Sequence, residues 1–145
     1  MNSTKLVKAV NYLDQIQGNK KAVFEAAVIV VLANTLKLPD ELPNEEDVSI
    51  HFNNNCASYI YEELGTINEV CPINIENAKI GICNLFRVRL QVALGVKAIH
   101  NMSISKSPYD FIWDTDRFMP PCITEAIKTN GSLFSNLCNI IALSL

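Results

Sequence analysis

Two histidines, His51 and His100, and five cysteines, Cys56, Cys71, Cys83, Cys122 and Cys138, are the side chains here best suited to metal or nucleophile chemistry. A tetrahedral metal centre recruits such donors in short pairs, C-x-x-C or H-x-x-x-H, so that one turn of chain offers two ligands together. Neither pair occurs. No metal site is expected, and no other cofactor either, because the glycines Gly18, Gly65, Gly81, Gly95 and Gly131 are scattered and form no phosphate-cradling loop or nucleophile elbow. Cys56 and His51 could act as a thiolate and imidazole only if the fold joined them, so a buried thiol is the simpler expectation. No catalytic residue is assigned, and the chain is read as non-enzymatic.

Two further groups of residues invite comparison with known chemistry. The run Phe111-Ile112-Trp113-Asp114-Thr115-Asp116 superficially resembles the D-x-D signature of haloacid-dehalogenase phosphatases. That resemblance would make Asp114 a nucleophile and Asp116 an acid/base, at the end of a first strand with most of a sheet to follow. Here the motif stands close to the C-terminus, and the pair is read as turn carboxylates, one able to pair with Arg117. The nearly all-apolar second helix and the helical plan resemble viral Bcl-2-like proteins in architecture. Their Asn-Trp-Gly-Arg motif is absent, Trp113 lies in another context, and architecture alone does not imply function.

Charge is the strongest signal. Leu38 to Ala78 carries nine carboxylates, Asp40, Glu41, Glu45, Glu46, Asp47, Glu62, Glu63, Glu69 and Glu76, with no Lys or Arg. Both flanks are net basic, so the overall charge of −3 comes entirely from this middle segment. Such asymmetry bears on partners and solubility. A pI near 5.3 argues against general nucleic-acid binding. Arg87, Arg89 and Lys97 could hold phosphate, but intramolecular pairing towards the acidic segment is the preferred reading.

The elements that must position these groups are mostly helical. A chain of 145 residues suffices for one domain, 1–145, with its own core. Ser3 or Thr4 can cap a first helix carrying Leu6, Val10 and Leu13, ended by Gly18. The next helix, centred on 22–36, is apolar on nearly every side and belongs in the middle of the fold. After Pro39 and Pro43, Asn44 with Asp47 reads as a helix start, and Val48, Phe52, Cys56 and Tyr59 form the stripe of a third helix closed by Gly65. Thr66 and Glu69 resemble a capping box.

The segment Ile75 to His100 alternates apolar and polar residues from Phe86 to Lys97, as a half-buried strand would, yet also fits a helical face interrupted by Arg89. With no obvious partner strand, helix is preferred. The alternative is an α+β fold with a strand at about 85–98. Ser107-Pro108 starts a short helix, Ile123 to Thr129 forms another ended by Asn130-Gly131, and Leu133 to Leu145 closes the chain. The expectation is a mainly α, compact domain of about six helices around 22–36.

No apolar run reaches the ~20 residues needed to span a bilayer, and no basic, apolar leader opens the chain. Together with the odd cysteine count this suggests free thiols in a cytoplasmic protein. The leading functional expectation is a protein-binding domain whose carboxylates at Asp40, Glu41, Glu45, Glu46, Asp47, Glu62, Glu63 and Glu69 engage a basic protein. An immunity-type inhibitor that fills the cleft of a nuclease toxin is one instance of this logic. The competing readings are a small-molecule site lined by Tyr59, Tyr61, Trp113 and Phe118, and a homodimer formed through 133–145.

Overall fold

The computed structural model describes residues 6, 7, 11, 20–39, 48–101 and 121–145. Five helices follow one another: α1 (Lys20–Thr35), α2 (Val48–Asn55), α3 (Ala57–Val70), α4 (Ile75–Asn101) and α5 (Pro121–Ser144). The described residues contain no strand, so the mainly helical expectation holds. The helices proposed before Gly18 and after Ser107 lie almost wholly outside the described residues, as do Trp113 and the D-x-D run.

α1 is the central helix. Phe24, Ala26, Ala27, Val28, Leu32 and Ala33 are completely buried, and Val23, Ile29, Val31 and Leu36 nearly so. Those positions cover most of the helix circumference, which is why its sequence shows no clear polar face. α5 packs against it most extensively and α4 next. Its β-branched run disfavours helix by a few tenths of a kcal/mol per residue, so burial against these two neighbours sustains it.

α4 resolves the ambiguity of the alternating segment. Its buried residues Ala78, Gly81, Ile82, Leu85, Phe86 and Leu90 recur every three to four positions, the spacing of one helical face. Val92, which a strand reading would place inside with Phe86 and Leu90, is 46% exposed. Arg89, the residue that interrupts the apolar face, reaches the end of α1. Its Nη1 donates to the carbonyls of Ala33 at 2.8 Å and Leu36 at 2.6 Å in the closing turn of α1, where Ala33 O otherwise accepts only a long bond, 3.4 Å, from Leu36 N–H.

Three expected boundaries need correction. The third helix does not close at Gly65: the chain breaks at Cys56 and continues as α3 to Val70. Cys56 leaves helical geometry at φ −120°, ψ −31°, yet Cys56 N–H donates to Phe52 O and Ile60 N–H to Cys56 O, so α2 and α3 stay nearly continuous. The core stripe runs Val48, Phe52, Cys56, Ile60, Leu64 and Ile67, with Ile60 standing where Tyr59 was expected. The stop comes at Cys71, which turns extended before Pro72, the geometry a following proline favours.

Thr66 does not cap. Its hydroxyl donates to Glu62 O within α3. The turn is closed instead by Asn68 Oδ1, which accepts from Ile73 N–H, and Asn74 Oδ1 accepts from Asn77 N–H at the start of α4. At the other end of the chain, the two expected helices join as α5 across a kink at Asn130, φ −155°, ψ 59°. The count of about six therefore becomes five among the described residues.

Candidate functional site

Only part of the acidic segment falls among the described residues. Asp40, Glu41, Glu45, Glu46 and Asp47 lie outside the described residues. Glu62 and Glu69 are exposed on α3. Their i, i+7 spacing puts them two turns apart on one side, opposite the stripe Ile60, Leu64 and Ile67 that faces the core. Among the described residues neither has an ion-pair partner. Glu63 is turned partly inward, with Oε2 enclosed and no hydrogen bond to it among the described residues. Glu76, the last acid of the segment, is held by Tyr61, whose hydroxyl lies 3.0 and 3.1 Å from its two oxygens.

The arginines of α4 pair within the molecule. Arg87 Nη2 donates to Ser49 Oγ at 2.6 Å, and Arg89 takes the α1 carbonyls. Arg87 and Lys79 share a cleft of about 290 Å³ between α2 and α4 with Ser49, Asn53, Glu76 and Cys83. Lys79 Nζ stands 4.8 Å from the Tyr61 ring centroid, a cation–π distance. Lys97 has no described side chain.

Tyr59 and Tyr61, the two described members of the expected aromatic pocket, face different neighbours. Tyr59 points towards the end of α1, its hydroxyl donating to Thr35 Oγ1 at 3.4 Å, whereas Tyr61 faces Glu76 and Lys79 on α4. Positions i and i+2 diverge by about 200° on a helix, so the two rings cannot line a common cavity here. Trp113 and Phe118 lie outside the described residues. Of the final segment's apolar residues, Leu133, Leu137 and Ile141 are buried in the core, while Leu143 and Leu145 are 65% and 43% exposed.

Tyr59 does line a cavity, with Thr35, Leu36, Lys37, Leu38, Pro39, His51, Asn55 and Cys56, of about 510 Å³. His51 and Cys56 thus share one hollow, as the thiolate–imidazole possibility requires. Their chemistry does not follow that possibility. Burial raises the Cys56 thiol above its ordinary value of 9.0, and the neighbouring Cys83 thiol raises it further. A neutral thiol at physiological pH is a poor nucleophile. His51 stacks on Phe86, ring centroids 5.9 Å apart and nearly parallel, and its Nδ1 lies 3.1 Å from Asn55 Nδ2.

Cys83 and Cys138 are also shifted up by burial; for Cys83 the nearby Arg87 and Lys79 charges and a hydrogen bond with Ser49 oppose the shift without reversing it. Cys56, Cys83 and Cys138 are free thiols. The described residues hold no group of three or more His, Cys, Asp or Glu side chains placed to share a metal ion. No described helix is long and apolar enough to cross a membrane.

The cavity was not visible in the linear reading. Thr35 and Lys37 look like the polar end of an apolar helix, and Tyr59 reads either as part of the core stripe or as part of a pocket with other aromatic residues. The chain matches no protein family, no curated protein and no solved structure.

Proposed function

We propose that this chain works by binding a basic protein, with the acidic middle segment as its contact surface. The observation that carries the reading is the pair Glu62 and Glu69, exposed on the outward side of α3 with no cationic partner among the described residues. Carboxylates left unpaired on a rigid helix form a fixed negative field, which speeds encounter with a positive surface and disfavours acidic competitors. Asp40, Glu41, Glu45, Glu46 and Asp47 extend the same charge along the chain. An immunity-type inhibitor is the functional class that uses this logic most directly, by occupying with carboxylates a cleft built for phosphate. No group is assigned a catalytic role, and Cys56, its thiol raised by burial, is not read as a nucleophile.

The test is capture. Immobilised native chain should retain a protein of high pI from its host's extract at low salt and release it as salt rises, because exposed charges are screened beyond ~8 Å at physiological ionic strength. The Glu62→Lys, Glu69→Lys variant should lose most of that retention while unfolding at nearly the native temperature. Retention of the same partner, with the same salt dependence, by the double reversal would remove α3 from the contact surface.

A further inference from the structure

The cavity beside the end of α1 has a definite hydrogen-bonding character, which follows from an inventory of its polar atoms. Asn55 Nδ2 donates to His51 O at 3.0 Å. A carbonyl only accepts, so this contact fixes which end of the amide is nitrogen. The same nitrogen lies 3.1 Å from His51 Nδ1, so Nδ1 is the accepting nitrogen of the ring. The imidazole proton sits on Nε2, and the stack on Phe86 fixes the plane in which it points.

The hydroxyls are already committed. Thr35 donates to Leu32 O at 2.7 Å and receives the proton of Tyr59. Apart from the weak S–H donor of Cys56, two donors are left over, the Nε2–H of His51 and the ammonium of Lys37. Lys37 is exposed and has no hydrogen bond or ion pair among the described residues. No carboxylate is among the described residues lining the cavity, although the chain as a whole is acidic. The negative end of the α1 dipole, which would oppose an anion there, is offset by the Arg89 guanidinium bound to the Ala33 and Leu36 carbonyls. The remaining wall is apolar, supplied by Leu36, Leu38 and Pro39. A volume of about 510 Å³ falls in the range of small-molecule sites.

We infer that this cavity binds a small monocarboxylate with an apolar body. The carboxylate accepts the Nε2–H of His51 and faces the Lys37 ammonium, and the body lies against Leu38 and Pro39. This site is separate from the outward carboxylates of α3 and does not depend on their having a partner.

Benzoate is the probe, and benzamide its neutral counterpart of the same shape. Titrating benzoate into isotopically labelled native chain should give saturable shifts at the backbone amides of Lys37, Asn55 and Tyr59, with benzamide binding at least about tenfold more weakly. Lys37→Met should weaken benzoate about tenfold and leave benzamide unchanged. His51→Phe, which keeps a ring to stack on Phe86 and removes the donor, should do the same. Should His51→Phe unfold, the exposed Lys37→Met carries the test alone. The inference is overturned by benzoate shifts that do not saturate, by equal binding of benzamide, or by benzoate affinity unchanged in Lys37→Met.

Discussion

Ile29 of α1 holds its Cδ1 only 2.8 Å from the point where a β-carbon on Gly81 of α4 would stand, with Cγ2 and Cγ1 at 3.2 and 3.3 Å. Gly81 is buried in the interior of a long helix, where glycine costs about 1 kcal/mol relative to alanine. The missing methyl is what lets the two helices approach at this point. Ile29 is 4% exposed and walled in by the core, so its branch has little room to rotate away.

Gly81→Ala should therefore destabilise the protein in spite of its better helix propensity. Overpacking costs ~1–3 kcal/mol against a propensity gain of about 1 kcal/mol, leaving a net loss of up to about 2 kcal/mol. Urea unfolding measures it. Ile29→Val removes Cδ1 and should recover part of the loss when combined with Gly81→Ala, although alone it costs ~0.5–1.5 kcal/mol. Strictly additive losses would mean that the helices separate rather than collide at this contact.

Ile29→Asp places a carboxylate where burial leaves no water and no cation. An unpaired buried charge costs about 3–5 kcal/mol, most of a total stability of ~5–15 kcal/mol. The variant should lose its cooperative thermal transition by circular dichroism. A folded variant with a sharp transition would place the core elsewhere than around α1.

Arg89→Leu should cost ~1.5–3 kcal/mol, the range for hydrogen bonds to a charged group, because the Ala33 and Leu36 carbonyls lose a common donor. Hydrogen exchange gives the sharper readout. The amides of the last turn of α1 should lose protection more than those at its start. A uniform loss along α1 would show that Arg89 acts through packing and not as a cap.

The raised thiols give the protein an alkaline weakness. A group whose folded pKa exceeds its unfolded value binds its proton more tightly in the native state, so its stabilising contribution is complete below the unfolded value. For Cys56, Cys83 and Cys138 the ordinary value is 9.0. Stability from these groups should hold below that pH and be lost as pH rises through their higher folded values. The slope of unfolding free energy against pH above 9.0 should flatten in Cys56→Ala. An unaltered slope would assign the alkaline loss to other groups.

How far the sequence carries the argument depends on the kind of interaction. The central place of α1 was legible because a helix apolar on nearly all sides has only one stable environment, the interior. The exposure of Glu62 and Glu69 follows from the cost of burying an unpaired carboxylate, but their common side became visible only once α3 ran through Gly65 to Val70. The end of α3 at Cys71, before Pro72, follows from backbone chemistry that acts over one or two residues. Tertiary structure decided the rest.

Arg89 spoiled the helical reading of α4 until its partners, the carbonyls closing α1, were brought beside it across more than fifty positions of chain. Gly65 reads as a helix end by local propensity, yet α3 runs through it because Leu64 and Ile67 on either side are fully buried. Tyr59 and Tyr61 look equivalent in sequence and face different helices. The cavity that joins Thr35, Lys37, His51 and Tyr59 has no linear trace, because a hollow is defined by where separate helices fail to touch. Local pattern fixes which face of a helix turns inward. Which side chains meet across the gap depends on the relative placement of helices, and that is set by close packing such as Ile29 against Gly81, to which no short stretch of sequence has access.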